Sequence, residues 1–294
     1  SSDLLDANGA TNKRIFRYGL DPVTTNVKWK NNDRTTNTLV LTEVQYHVFK
    51  DVKMFVLANL SQTVHDGIAN GTLDTQDKIK EQVSVTLPAN KAHDLEEPFL
   101  LTGETATFSW DGDVDKEVPV DLKRAVAAVD IIIHYQWEKL DPEHYEGGYK
   151  LKEFDSKTFV GEHYKVDDLV DSDPRKLAKT TPANPTSTIS FYLNEYDFTK
   201  TGVTGFPPYI LLALPKVDGA KELPGGLLPP PIGEGLAQDA EETYYRIVMP
   251  PTIQRNYHYT MHVYINEAGS NKPEGATPVR FQFSVKPWDR DQRN

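Results

Sequence analysis

Cysteine is the first residue that this sequence lacks. The chain has 294 residues and no cysteine, which excludes disulfide bonds, thiolate zinc sites and a cysteine nucleophile. This argues against a secreted eukaryotic scaffold held together by disulfides, whereas an exported bacterial protein is compatible with it. The length favours two domains, and 38% hydrophobic residues are enough to build their cores.

Long apolar runs and basic runs are also missing. No apolar run reaches the roughly 18 residues that a transmembrane helix needs. The formal net charge is −11 and no segment is rich in lysine or arginine, so we expect no electrostatic binding to nucleic acid. The sequence opens on the polar residues Ser1, Ser2 and Asp3, from which we expect that any export signal has been removed.

The common catalytic and nucleotide-binding motifs are absent. The sequence has no G-x-S-x-G elbow, P-loop, H-E-x-x-H zinc motif or Rossmann glycine pattern. The acidic pairs Glu96-Glu97 and Glu241-Glu242 would serve a glycosidase only at a carboxylate separation that a sequence does not show, and an acidic surface is the simpler interpretation. We therefore predict no enzymatic activity, no catalytic residue and no cofactor.

Two patterns resemble metal sites but are incomplete. Asp111, Asp113 and Asp115 stand at alternate positions, as in a calcium loop, but the rest of an EF-hand is missing, so we predict a solvated hairpin tip. His258 and His262 are four residues apart, which on a strand is roughly 13 Å and too far for one zinc ion. The sequence therefore predicts no metal site.

The clearest pattern in the chain lies in residues 118–137. From Ala125 onward every odd position is apolar, whereas Asp130 and His134 on even positions are polar, which predicts a strand with one buried face. A helical period also fits part of this segment, but its β-branched and aromatic second half favours a strand. The apolar positions upstream have the opposite parity, so we expect a bulge or short turn at 121–124.

Short strand-like segments and turn signals at intervals of about ten residues continue through most of the chain. They predict an all-β fold of two tandem β-sandwiches, with a long single barrel as the weaker alternative. We place the domain boundary near Gly161, which gives an N-terminal domain at 1–160 and a C-terminal domain at 161–294. Residues 1–37 have little pattern.

The second half of the chain has the better-defined strands. Residues 257–265 and 280–285 alternate clearly, and the second of these segments is predicted to point Phe281, Phe283 and Val285 inward. Residues 216–242 contain Pro-Gly-Gly and Pro-Pro-Pro and are predicted to be a long loop.

One segment of the central strand resembles a known family signature. Leu122, Arg124, Val126, Ala127 and Val129 match the L-x-R-x-V-A-x-V pattern of the Bacteroidales fimbrillins, the major fimbrial subunit or type V pilin family. Weaker matches occur in the same order and extend the resemblance over roughly residues 40–290: Phe55, Ala58 and Asn59; Phe191, Tyr192 and Glu195; Tyr244, Tyr245, Arg246 and Ile247; Arg255, Asn256 and Tyr259; Gly269; Val285 and Trp288.

The resemblance implies two transthyretin-like, seven-stranded β-sandwich domains with Greek-key-type strands. It also implies a structural subunit of a bacterial surface fimbria that supports adhesion and polymerises with other subunits, as a homo- or heteropolymer, by protease-triggered donor-strand exchange. Such subunits are exported as lipoprotein precursors attached to the outer membrane by a lipid anchor. The sequence has no cysteine to carry that lipid, so either it begins after that residue or the subunit lacks one.

The resemblance also suggests which residues take part in assembly. An arginine-specific protease would cut at Arg14, Arg17 or Arg34 and remove a strand contributed by residues 1–37. The opened groove would then accept an extended segment of a neighbour. The natural donor here is the segment 279–288, whose groove-filling side chains would be Phe281, Phe283, Val285 and Trp288. The position of the subunit as stalk, tip or anchor stays open.

Two other functions remain as alternatives. A glycan-binding surface lipoprotein is suggested by aromatic residues that could stack on sugar rings, namely Trp110, Trp137, Tyr145 and Tyr149, although such residues more often cover the core or edge of a β-sandwich. Either reading leaves room for a ligand on a host or bacterial surface. A β-sandwich hydrolase rests only on the abundance of carboxylates.

Overall fold

A computed structural model describes most of the chain. The described residues are 27–29, 39–41, 49–110, 116–137, 140, 147–166, 168–181, 183–200, 202–203, 205–215 and 242–288. The predicted loop 216–242, apart from its last residue, and the acidic residues 111–115 lie outside them.

The chain forms two compact units. Unit 1 comprises Ser1–Gln82, Leu100–Lys123 and Asp289–Asn294, and unit 2 comprises Val83–Phe99 and Arg124–Trp288. Residues on both sides of Gly161 therefore belong to one unit, and the division of the chain falls elsewhere than at the predicted boundary.

The strands of the first half of the chain are short, apart from one. They are β1 (Val27–Trp29), β2 (Leu39–Leu41), β3 (Phe49–Val52), β4 (Phe55–Ala58), β5 (Val83–Thr86), β6 (Leu101–Glu104), β7 (Phe108–Trp110), β8 (Lys123–Arg124), β9 (Val126–Tyr135), β10 (Gly148–Lys152), β11 (Phe154–Asp155) and β12 (Lys157–Phe159).

The second half contains several longer strands. They are β13 (Leu169–Val170), β14 (Arg175–Lys176), β15 (Thr186–Asn194), β16 (Tyr196–Asp197), β17 (Tyr209–Pro215), β18 (Glu242–Val248), β19 (Thr252–Ile253), β20 (Tyr257–Ile265), β21 (Thr277–Pro278) and β22 (Phe281–Pro287). The described helices are α1 (Gln62–Ala69), α2 (Gln76–Lys80) and the 3-10 turn η1 (Pro273–Gly275).

Unit 1 is built from antiparallel pairs and the two short helices. β1 pairs with β2, β3 with β7, and β4 with β6. The α2 helix begins after Thr75, whose side chain accepts a hydrogen bond from the Lys78 backbone nitrogen at 3.3 Å, as an N-cap does. The sequence of residues 73–82 predicts a brief helix, and the structure has the shorter α2 within that range. The α1 helix, which buries Val64, was not predicted.

Unit 2 contains a β-sandwich. One sheet has four strands in the order β15-β9-β20-β22, and the other has five in the order β14-β10-β17-β18-β21. Apolar side chains of both sheets form a single core, which includes Val129, Ile131 and Ile133 of β9, Phe191 of β15, Ile210 and Leu212 of β17, Ile247 of β18, and Met261 and Val263 of β20. The all-β class predicted from the sequence is confirmed.

The predicted core strand lies in the middle of the four-stranded sheet. β9 pairs antiparallel with β15 over nine residues, from Val126 to His134, and parallel with β20 on its other side. Its odd positions 127–133 are fully buried, whereas Asp130 and His134 on the opposite face are half-buried. The predicted alternation of a buried and a less buried face is therefore confirmed for residues 129–134 of β9.

The back of the four-stranded sheet is partly covered as well. Val126 and Ala128, which point away from the main core, are 1% and 0% exposed because Leu87, Leu95 and Phe99 pack on them from the segment Val83–Phe99. The sequence pattern of β9 does not predict this second covered face, because the residues that cover it lie far before β9 in the chain.

The two neighbouring isoleucines of β9 give a matched test of the inner and outer faces. Ile131 is fully buried, and Ile132 on the other face is half-buried. We expect Ile131→Ala to lower the free energy of unfolding of unit 2 by about 2–5 kcal/mol because it leaves a cavity in the core. Ile132→Ala should cost clearly less in the same urea titration. Equal losses would contradict the assignment of the faces.

A histidine in the covering segment makes the stability of unit 2 depend on pH. His93 Nε2 lies 2.9 Å from the Tyr149 hydroxyl, and its ring meets Phe191 edge to face at 5.9 Å. Burial, with a smaller contribution from the Arg175 charge, lowers the pKa of His93 from 6.5 to about 4. The unfolded chain therefore takes up this proton first as the pH falls.

The stabilisation linked to His93 is complete above pH 6.5 and is lost progressively as the pH falls from 6.5 towards 4. We expect His93→Gln to flatten the loss of stability across this window, measured by urea unfolding at several pH values. Parallel curves for the two proteins would show that His93 does not titrate differently in the folded and unfolded states.

Candidate functional site

The strand β22 lies at one edge of the four-stranded sheet. It pairs antiparallel with β20 over seven residues, from Phe281 opposite Val263 to Pro287 opposite Tyr257. Among the described residues no strand pairs with its other edge. Backbone groups at such an edge are a template for pairing with another extended chain.

The apolar side chains of β22 face the core but are only partly covered. Directly opposite residues of an antiparallel pair share a face, and Phe281, Phe283 and Val285 lie opposite the buried residues Val263, Met261 and Tyr259. Phe281 packs against the core, whereas Phe283 is 50% exposed and Val285 is 42% exposed. The predicted inward orientation is therefore correct, but the predicted burial is incomplete.

Phe283 and Val285 are incompletely covered because the opposite sheet ends at a short strand on this side. Its last strand is β21, which pairs with β18 only at Tyr245 and Arg246. The Val279 backbone nitrogen then donates to the Arg246 carbonyl at 3.0 Å, and the chain crosses to the other sheet as β22. Among the described residues, the outer part of β22 thus presents two apolar side chains and a backbone edge that no strand pairs with. We call this feature the open edge and define it by Phe283, Val285 and the outer backbone of β22.

The end of β22 is fixed by Trp288. This side chain is 5% exposed, stacks on Tyr192 at 5.4 Å and contacts Phe99 at 5.7 Å. The Arg124 guanidinium lies 4.2 Å from the centre of the indole ring. The distance corresponds to a cation–π contact, which for a desolvated pair stabilises by up to about 2 kcal/mol.

Backbone hydrogen bonds complete this anchor. Arg124 Nη1 donates to the Trp288 carbonyl at 3.0 Å, and the Trp288 nitrogen donates to the Asn256 carbonyl at 2.9 Å. The Asn256 side chain accepts from the Arg124 backbone nitrogen at 3.1 Å. Residues from separate motifs of the fimbrillin-like pattern therefore meet in one cluster that holds the last described strand.

A second cluster joins two further motif residues. Arg255 and Glu195 are 6% and 5% exposed, and Arg255 Nε donates to Glu195 Oε1 at 2.8 Å. The same guanidinium donates to the carbonyls of Val160, at 3.1 Å, and of Gly161. The His163 backbone nitrogen donates to the same Glu195 oxygen at 2.6 Å. This network ties the chain around Gly161 into unit 2, which is the physical reason why the chain does not divide there.

The sequence contained the signal for both clusters but not their partners. The motifs marked Arg124, Tyr192, Glu195, Arg255 and Asn256 as members of a pattern. Their spacing along the chain does not reveal which of them touch, because each pair bridges strands that are distant in sequence.

The other predicted site residues are scattered. The candidate cleavage sites Arg14, Arg17 and Arg34 lie outside the described residues. Of the candidate sugar-stacking aromatics, Tyr149 is buried and Trp137 is half-buried, so these two form no exposed platform. Tyr145 and the side chain of Trp110 lie outside the described part of the chain.

His258 and His262, which the sequence analysis considered as a metal pair, contact different side chains. His258 Nε2 lies 2.7 Å from Asp130 Oδ2, and His262 Nδ1 lies 3.0 Å from His134 Nε2. Within the part of the chain that the structure describes, no group of three or more histidine or acidic residues is arranged to hold a metal ion. No helix among those residues is long and apolar enough to cross a membrane.

The buried ion pair gives a test of the second cluster. Arg255→Met removes the side-chain donors that buried Glu195 has among the described residues, and it should lower the free energy of unfolding by about 3–5 kcal/mol, because a carboxylate stays buried without its partner. The double variant Arg255→Met with Glu195→Leu should recover part of this loss. A double variant that is less stable than the single one, in the same denaturant titration, would contradict this account of the pair.

Comparisons with known proteins agree with the sandwich architecture. The sequence matches no protein-family model and no curated protein. Among solved structures it is similar to a candidate cell adhesion protein from Bacteroides eggerthii, with a TM-score of 0.53, 13% identity, and coverage of 80% of this chain and 77% of that chain. It is also similar to a fimbrilin from Porphyromonas gingivalis, with a TM-score of 0.49, 15% identity, and coverage of 80% of each chain.

A third similar structure is a candidate cell adhesion protein from Parabacteroides distasonis, with a TM-score of 0.48, 13% identity, and coverage of 88% of this chain and 80% of that chain. Of these likenesses, the first carries the structural conclusion. This chain has the fold of the Bacteroides eggerthii protein.

Proposed function

We propose that this chain is a structural subunit of a bacterial surface fimbria, of the fimbrillin family, and that it assembles with other subunits through the open edge. The observation that carries the proposal is the apolar, half-exposed face of β22 beside a backbone edge that no described strand pairs with. A sheet edge of this kind is normally blocked in a protein that stays monomeric.

An extended segment of a neighbouring subunit fits this edge chemically. Its backbone would hydrogen-bond to the outer side of β22, and alternate side chains would cover Phe283 and Val285. Covering what is now exposed of each side chain would contribute roughly 1 kcal/mol. The backbone ladder and further contacts would have to supply the rest of the affinity.

The direction of strand exchange is part of the proposal. In the subunit as described, β22 is paired with β20 and held by Trp288, so the segment of Phe281, Phe283, Val285 and Trp288 is better suited to accept a strand than to leave as a donor. Its role as donor, predicted from the resemblance, would require that ladder and that anchor to open.

The rest of the proposal follows the family resemblance. Cleavage at Arg14, Arg17 or Arg34 by an arginine-specific protease would trigger exchange, and the precursor would be a lipoprotein held at the outer membrane until it joins the fimbria. The mature subunit would support adhesion at the cell surface and would have no catalytic role. No described cluster of aromatic residues favours the alternative of a glycan-binding lipoprotein.

Limited digestion of the full chain with an arginine-specific protease, followed by an unheated denaturing gel, tests assembly. We expect ladders of resistant multimers from the wild type and fewer from Phe283→Glu, because a charge on the open edge opposes its burial. The matched control is Gln282→Glu, which adds the same charge on the opposite, exposed face of β22. Because half of the Phe283 side chain is buried, Phe283→Glu should lower the thermal stability modestly, so the ladders are compared at a temperature at which both variants are folded.

The proposal fails if no protein forms ladders, or if Phe283→Glu forms them as well as the wild type does. It also fails in its choice of surface if Gln282→Glu loses assembly to the same extent.

A further inference from the structure

The outer face of the four-stranded sheet carries three histidines. His134 lies on β9, and His258 and His262 lie on the adjacent parallel strand β20. The register places Tyr264 directly beside His134. His262 lies beside Ile132, two residues before Tyr264 on the same face of β20. This half-exposed polar face is separate from the open edge and is not used by the proposed function.

His134 and His262 form a close pair. His134 Nε2 lies 3.0 Å from His262 Nδ1, the ring centres are 5.3 Å apart and the ring planes differ by 23°. These values place the two rings edge to edge, so that two ring nitrogens point toward each other. Only one proton fits between them, and the other nitrogen of the contact offers its lone pair.

A tyrosine of β20 packs on one ring of the pair. Tyr264 stacks on His134, with ring centres 4.7 Å apart and planes that differ by 13°. Neutral imidazole is the form that binds transition metals.

We propose that His134 and His262 form a two-imidazole site for a divalent transition cation of tetragonal preference, Cu²⁺ or Ni²⁺. The two nitrogens are 3.0 Å apart, so a metal about 2.0 Å from each of them would have a nitrogen–metal–nitrogen angle of about 95°. That angle suits two adjacent positions of a tetragonal ion and is narrow for tetrahedral zinc. The rings must turn so that both lone pairs meet at the metal, and the proton that lay between them moves to the other nitrogen of its own ring.

The site has two protein ligands and leaves the remaining positions to water. His258 cannot join it, because it lies four residues from His262 along the strand, roughly 13 Å away, and is paired with Asp130. The site therefore differs from the His258 and His262 pair that the sequence ruled out. Between the two metals, the order of affinities for nitrogen ligands favours Cu²⁺.

Titration of the full chain with Cu²⁺, followed by calorimetry and by electron paramagnetic resonance, tests the site. We expect one saturable ion with two nitrogen ligands in the spectrum of the wild type. His134→Gln and His262→Gln should each weaken binding at least about tenfold, since each removes one of two protein ligands. The matched control is His258→Gln, a histidine on the same face, which should bind as the wild type does.

Three results would overturn the proposal. They are the absence of saturable binding to the wild type, unchanged binding by both His134→Gln and His262→Gln, and an equal loss in His258→Gln. Copper held elsewhere, for example at the terminal amine, would give a spectrum that none of the three substitutions changes, and would also count against the site.

Discussion

The inner face of the four-stranded sheet of unit 2 leaves the apolar side chains of Phe283 and Val285 about half-exposed. β22 continues the inner face of β20 by one strand, whereas the other sheet ends in β21, which is two residues long. Because apolar area left in water has a free-energy cost, this mismatch is either tolerated or relieved by another chain. The proposed function rests on the second outcome.

The cluster around Trp288 holds the end of the strand that forms the open edge. An edge strand that frays could not hold Phe283 and Val285 in a fixed register for a partner. Here the strand is paired with β20 along its length and is then fixed by the indole between Arg124 and Tyr192. The buried ion pair of Arg255 and Glu195 holds the adjoining end of β15 and the chain near Gly161. The fimbrillin-like motifs thus mark residues that support the site more than residues that form it.

Local patterns predicted the strands well where one face is buried. The predicted strand 257–265 coincides with β20, and the alternation through β9 identified its buried face, because a period of two along a strand reports burial directly. The α1 helix was missed because Val64 is its only buried residue, which is too little for a helical apolar stripe.

Features set by contacts distant in sequence were not predictable in this way. The segment Val83–Phe99 joins unit 2 through Leu87, Leu95 and Phe99, whose spacing follows no period. The exposure of Phe283 depends on where the opposite sheet ends, and a strand's own sequence does not contain that information. The motif residues Arg124, Glu195 and Arg255 were identified from the sequence, but their contacts join segments distant in sequence and were not predicted.

Hydrogen–deuterium exchange along β22 tests most directly whether its free edge accepts a strand. The free subunit and the assembled polymer would be compared peptide by peptide. In the free subunit, the β22 amides that do not bond to β20 should exchange quickly, and in the polymer they should become as slow as those that do. Exchange in β22 that is the same in both states would contradict the account, because it would show that assembly leaves this edge unpaired.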